Sequence, residues 1–164
     1  MIPHFWNKYL VVIASFVIAL ILSVYPLPFM WRWWRPEFVL LVAIYWVSVF
    51  PLTMSLLFLC IVGLFQDILS AAPLGQHSFS LLVMAYVCML SYRRVQNFAL
   101  WKETGWVFLV VLLAQIPTAW VQTIFNRPFT WLLFVAPALT SALLWPLFRQ
   151  GMERISSHYR ISNH

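Results

Sequence analysis

Apolar positions run along this chain almost without a break, and prolines and scattered polar residues divide them into six stretches. Tyr9 to Val24 is interrupted only by Ser15 and Ser23, and Trp34 to Phe50, Leu52 to about Leu69, and the stretch from the Pro73-Leu74-Gly75 turn to about Tyr92 follow. Trp106 to about Phe125 and Trp131 to Phe148 complete the set. The runs are continuous and do not alternate with period two, which argues against a membrane β-barrel. At about 20 residues per crossing, the chain has room for six spans and short loops and none for a separate soluble domain. The pattern therefore predicts an all-α integral membrane protein with six transmembrane helices. Residues 1–8 form a cytoplasmic N-terminus, 9–148 a single membrane domain, and 149–164 a basic cytoplasmic tail.

Two of these stretches are ambiguous on their own. The first has a basic start like a secretory signal, but Val24-Tyr25-Pro26-Leu27-Pro28 offers no small-x-small cleavage site, so it reads as an uncleaved span. The second has only 14 residues between Pro36 and Pro51, a length that also suits a re-entrant segment. Because proline is tolerated in a first helical turn, a helix from near Trp34 to Phe50 is expected, roughly 25 Å long at about 1.5 Å per residue.

Within the third stretch lies Asp67, an acid inside an apolar run, at a cost of roughly 2.5–3.5 kcal/mol at mid-bilayer and less near the interface. Two readings stand. Water, headgroups or a nearby arginine satisfy it in the last turn of a span, or it belongs to a buried polar joint that fixes packing, a partner or a ligand. Either needs a partner, since the C-terminal end of a helix dipole opposes a negative charge. Gly63, Gln66 and Asp67 are three and four residues apart and share one helical face, the small-plus-polar composition of a close helix contact in lipid. Pro73 and Gly75 then supply a fixed φ and tolerance of positive φ for a tight turn.

Composition strengthens the membrane reading: 63% of the 164 residues are hydrophobic and only 9% charged, against about 25% charged in soluble domains. Mean hydropathy is +0.87. The net charge of +6 does not indicate nucleic acid, because the ten Lys and Arg residues are scattered through loops with no basic face. They set orientation instead. With six spans, Lys8, Arg93, Arg94, Lys102, Arg149, Arg154 and Arg160 fall inside and Arg32, Arg35 and Arg127 outside, as the positive-inside rule asks. A five-span arrangement would give a similar bias. On the six-span reading Asp67 lies near the outer face and is expected to pair with Arg35 or Arg127. Trp31, Trp33 and Trp34 beside Arg32 and Arg35 read as an interfacial aromatic belt, with a cation–π grip on a headgroup or partner as the alternative. The tail, with Arg149, Glu153, Arg154 and Arg160, reads as solvated, the alternative being a short amphipathic segment on lipid.

No reaction chemistry is legible. There is no Gly-x-Ser-x-Gly or His-Glu-x-x-His, no second carboxylate for a catalytic pair, and no Gly-rich phosphate loop. Cys60 and Cys88 lie inside apolar runs without metal-ligand spacing and read as packing residues. His77 is either solvated at the interface or a proton-relay partner of Asp67. No catalytic residue, cofactor or metal is expected.

Gly63-Leu64-Phe65-Gln66-Asp67-Ile68-Leu69-Ser70, followed by Pro73-Leu74-Gly75 and Tyr86, resembles the signature of the MreD family of bacterial rod-shape-determining membrane proteins. Arg35-Pro36 before Val39-Leu40-Leu41, Tyr45-Trp46, Asn97-Phe98-Ala99-Leu100-Trp101 and Leu144-Trp145-Pro146 fit in order. The resemblance covers nearly the whole chain. It implies a six-helix inner-membrane fold similar to the substrate-binding subunits of energy-coupling-factor transporters, and a non-catalytic elongasome subunit supporting sidewall peptidoglycan synthesis. It also implies direct binding to MreC, with MreB, RodZ, RodA and a class B penicillin-binding protein in the wider complex. A homodimer is compatible with it. The family motif falls on Gly63, Asp67, Pro73 and Gly75, with Arg35-Pro36 as a second match. The competing function is a small-molecule-binding subunit of a membrane transporter.

Overall fold

A computed structural model describes residues 4–25, 34–51, 54–124 and 131–158. Among them are six α-helices and no strand: α1 (His4–Val24), α2 (Phe38–Val49), α3 (Leu56–Leu69), α4 (Gln76–Val95), α5 (Leu100–Ile124) and α6 (Trp131–His158). Helices α3, α4, α5 and α6 pack in sequence, each on the next. Helix α2 touches α1, α4 and α6.

The short second helix is the centre of the bundle. Every residue from Val39 to Val47 is buried, including Trp46 and Ile44 with no exposed surface. A helix apolar on all sides has no solvent face to present and must be enclosed by others. Its start differs from the expectation: it begins at Phe38, not near Trp34, and has 12 residues. Pro36 disfavours helical geometry at Arg35, so no helix runs through from Trp34. The entry is closed instead by α6, where the Ser141 hydroxyl accepts the Glu37 N–H at 2.9 Å. At its other flank, Trp46 Nε1 donates to Ser15 of α1 at 2.8 Å, and Trp46 stacks on Phe50.

Among the described residues one helix, Leu100–Ile124, is by itself long and apolar enough to cross a membrane; Lys8–Val24, α2 and α3 are shorter apolar segments. The outer surface is nevertheless apolar. Ile13, Ile21, Leu57, Phe65, Leu90, Leu109, Leu143 and Leu147 all point outward.

Two boundaries shift. Helix α5 begins at Leu100 rather than Trp106, so Glu103, which precedes the expected span, lies buried in the first turn. There it pairs with Arg149 of α6, which also donates to Glu153 one turn on at 2.7 Å. Helix α6 continues past Phe148 to His158, and the segment read as a solvated tail buries Met152 and Ser156. Pro117 within α5 leaves the Leu113 carbonyl without its usual donor. One residue on, the Ala114 carbonyl accepts the Ser80 hydroxyl of α4.

Ala43 has no exposed surface in the middle of α2. Ala43→Leu is expected to destabilise the fold by about 1–3 kcal/mol through overpacking, whereas Leu143→Ala on the outer face stays within about 0.5 kcal/mol. Thermal unfolding of both variants in one detergent checks the contrast.

Candidate functional site

Helix α3 buries Leu59, Val62, Gly63, Gln66 and Asp67 along one face and turns Leu57, Phe65 and Ile68 outward. Its end is a doubled-back cap. The Ala72 N–H reaches the Asp67 carbonyl at 3.0 Å and the Ala71 N–H the Ile68 carbonyl at 3.3 Å, the two bonds of a Schellman motif. Ala71 occupies the left-handed position there, with φ +49°, where glycine is the usual residue.

From this cap the chain re-enters α4 through Pro73-Leu74-Gly75. The Gln76 N–H closes the turn on the Pro73 carbonyl at 3.2 Å, and Gly75 has φ +94°, which a side chain would strain. Gly75 is the N-cap of α4 and has no side chain with which to bond the exposed N–H groups of the first turn. Asp67 supplies the missing oxygens. Its Oδ2 accepts the Gly75 N–H at 2.7 Å and its Oδ1 accepts the His77 N–H at 2.9 Å. His77 Nδ1 lies 2.6 Å from the same Oδ1. A carboxylate only accepts, so the ring proton sits on Nδ1 and donates.

The placement resolves the energetic problem of a fully buried acid. Asp67 lies near the C-terminus of α3, which disfavours it, but caps the N-terminus of α4, where the dipole favours a negative charge. Its donors among the described residues are His77 and two backbone amides within the same turn; of the two arginines expected to pair with it, Arg127 lies outside the described residues. Gly63, one turn earlier, permits the approach: a Cβ built there would lie 2.4 Å from the Ser78 Cα, and the Ser78 hydroxyl donates to the Cys60 carbonyl at 3.0 Å. Gly63, Asp67, Pro73 and Gly75 thus form one joint between α3 and α4.

Beside this joint is a cavity of about 190 Å³ that brings the second set of sequence-selected residues together. Gln66, Ser70 and His77 form one wall, and Arg35, Pro36 and Glu37 of the lead-in to α2 form another. Arg35 Nη2 donates to the Leu22 carbonyl of α1 at 2.9 Å, holding the lead-in against the last turn of that helix. Ser70 donates its hydroxyl to the Gln66 carbonyl at 2.5 Å.

Of the aromatic belt, Trp31 and Trp33 lie outside the described residues, and Trp34 is half exposed. Reading the sequence missed the Glu103–Arg149 pair and gave His77 too little weight. Helical spacing from Trp106 back to Leu100 puts Glu103 in the first turn, and the N-terminal turn of a helix is where acids collect. Among the described residues no group of three His, Cys, Asp or Glu side chains is placed to hold a metal.

The sequence model of the family described as rod shape-determining protein MreD matches residues 4–155. The rod shape-determining protein MreD of Haemophilus influenzae is 26% identical over 159 residues, 94% of this chain and 98% of that protein. No solved structure matches.

Asp67→Ala leaves the N–H groups of Gly75 and His77 without their acceptor, and each such orphan costs about 1–3 kcal/mol. Asp67→Asn keeps one acceptor oxygen and is expected to lose less, an order that melting in a single detergent checks. Ala71→Gly is expected to raise stability by about 1 kcal/mol, because it removes the left-handed penalty at the α3 cap.

Proposed function

This chain belongs to the rod shape-determining MreD family, and from that premise we propose that it is a non-catalytic scaffold subunit of the elongasome in the bacterial inner membrane. It binds MreC directly and acts with MreB, RodZ, RodA and a class B penicillin-binding protein in sidewall peptidoglycan synthesis. The observation that carries this reading is the use made of Asp67. The residue best suited to intramembrane chemistry has both oxygens engaged in capping α4 and no surface exposed, so its work is geometric.

The bundle sits in the bilayer as a unit with both termini cytoplasmic. Short α2 and α3 are compatible with this because irregular backbone at membrane depth is tolerated where protein groups bond it, and the lead-in at 34–37 is bonded to α1 and α6. The apolar outer flanks of α1, α3, α4, α5 and α6 suit lipid and a partner's transmembrane helix. Their ends at the Asp67 turn face the periplasm, opposite the basic inner loops. A rigid α3–α4 joint gives a partner a surface of fixed shape.

Gentle detergent pull-down of the tagged chain from its own membranes, with stoichiometry by mass spectrometry, is expected to recover MreC near one to one. Recovery of ATPase and coupling subunits in its place would mean that the bundle serves as a transporter's binding subunit, as in energy-coupling-factor systems. In cells, Asp67→Ala is expected to round the rods even where immunoblots show normal protein levels, and unchanged rods at those levels would count against a functional α3–α4 joint.

A further inference from the structure

We propose that the cavity between the Asp67 turn and the start of α2 binds a phosphate-bearing zwitterion with a primary ammonium, the chemistry of a phosphoethanolamine group. Its polar lining separates by role. Arg35 brings a guanidinium, whose planar set of N–H donors matches the oxygens of phosphate. Two residues on, across Pro36, Glu37 brings a carboxylate to the same cavity. A simple anion would meet the carboxylate and a simple cation the guanidinium. A compact zwitterion is complementary to both charges.

Two of the remaining polar groups, Ser70 and His77, favour an ammonium with hydrogens to donate. The Ser70 hydroxyl already gives its proton to the Gln66 carbonyl, so its oxygen is left as an acceptor. His77 gives its Nδ1 proton to Asp67, so in the neutral ring Nε2 is an acceptor too. With Glu37 these make three acceptors for the three N–H bonds of a primary ammonium. A trimethylated ammonium has no such hydrogens and gains nothing from these acceptors. The volume of about 190 Å³ is below the roughly 300–1,000 Å³ of sites for drug-sized molecules and fits a headgroup-sized ligand. Leu20, Val24 and Leu69 add an apolar wall beside the polar ones, as an amphiphile's glycerol end would require. The inference does not depend on which protein the scaffold binds.

The test uses the purified full chain in vesicles of equal parts phosphatidylethanolamine, phosphatidylglycerol and phosphatidylcholine, with retained lipid quantified by mass spectrometry after re-extraction in detergent. Phosphatidylethanolamine is expected to be enriched about tenfold over phosphatidylcholine, the factor that one charge-assisted hydrogen bond supplies. Glu37→Gln keeps the shape and the backbone bond to Ser141, and should reduce that enrichment to near the bulk ratio while improving retention of phosphatidylglycerol. Arg35→Gln should lose both lipids. Free O-phosphoethanolamine is then added in excess. If it displaces the lipid, the site takes the soluble group as well; if the enriched lipid stays and the soluble group does not bind, the headgroup held by its acyl chains is the occupant; either supports the shared chemistry. Retention at bulk ratios in the wild-type chain with no binding of free O-phosphoethanolamine would overturn the proposal, as would enrichment unchanged by Glu37→Gln in protein that melts like wild type.

Discussion

A carboxylate with no exposed surface, inside a largely apolar helix, must be held by donors, and in this chain the donors come from the start of the next helix. Asp67 joins the end of α3 to the beginning of α4 by taking the N–H groups of Gly75 and His77 and the ring proton of His77. Its main-chain carbonyl closes the α3 cap through Ala72. One residue therefore terminates one helix and initiates another, and the register between the two follows. Gly63 meets Ser78 at backbone distance only in that register. The same register sets Gln66, Ser70 and His77 side by side as one wall of the cavity.

The second constraint is the enclosure of α2. The 12-residue helix is buried on every side from Val39 to Val47, and each of its ends is managed differently. At its start, Ser141 takes the Glu37 N–H and Arg35 ties back to α1, so a non-helical segment is tolerated and a cavity opens beside it. Beyond its other end, aromatic stacking of Trp46 on Phe50 and the Lys8 ammonium over the Phe50 ring take over. The Glu103–Arg149 pair joins α5 to α6, and Arg149 also holds Glu153 within α6. Buried ion pairs contribute little net stability, but removing one partner strands the other, so this cluster specifies how α5 and α6 dock.

Much of the architecture was legible from the run of apolar residues, because helix period and proline punctuation act locally. The joint was legible for the same reason: Gly63, Gln66 and Asp67 share a face by spacing alone, and Pro73 and Gly75 announce the turn. The partner of Asp67 was not. Orientation arguments place charges by side of the membrane and point to arginine, whereas the donors among the described residues are backbone amides that carry no sequence signal and a histidine that the turn brings back to the acid. The start of α2 was misjudged because tolerance of proline in a first turn was weighed without the restriction it places on Arg35. The reach of α5 and α6 was misjudged because helices were ended where hydropathy falls. Glu103 and Arg149 satisfy each other, and the helices continue past that limit.

A scaffold needs surfaces that hold their shape, and the Asp67 joint is where this chain fixes one. The most direct test is amide hydrogen exchange at Gly75 and His77 in the full chain in lipid, read against exposed Leu74 in the same turn. If Asp67 caps α4, both amides exchange as slowly as the interior of α4, and Asp67→Ala frees those two while the middle of the helix stays protected. Exchange at Gly75 and His77 as fast as at Leu74 in the wild-type chain would contradict the account.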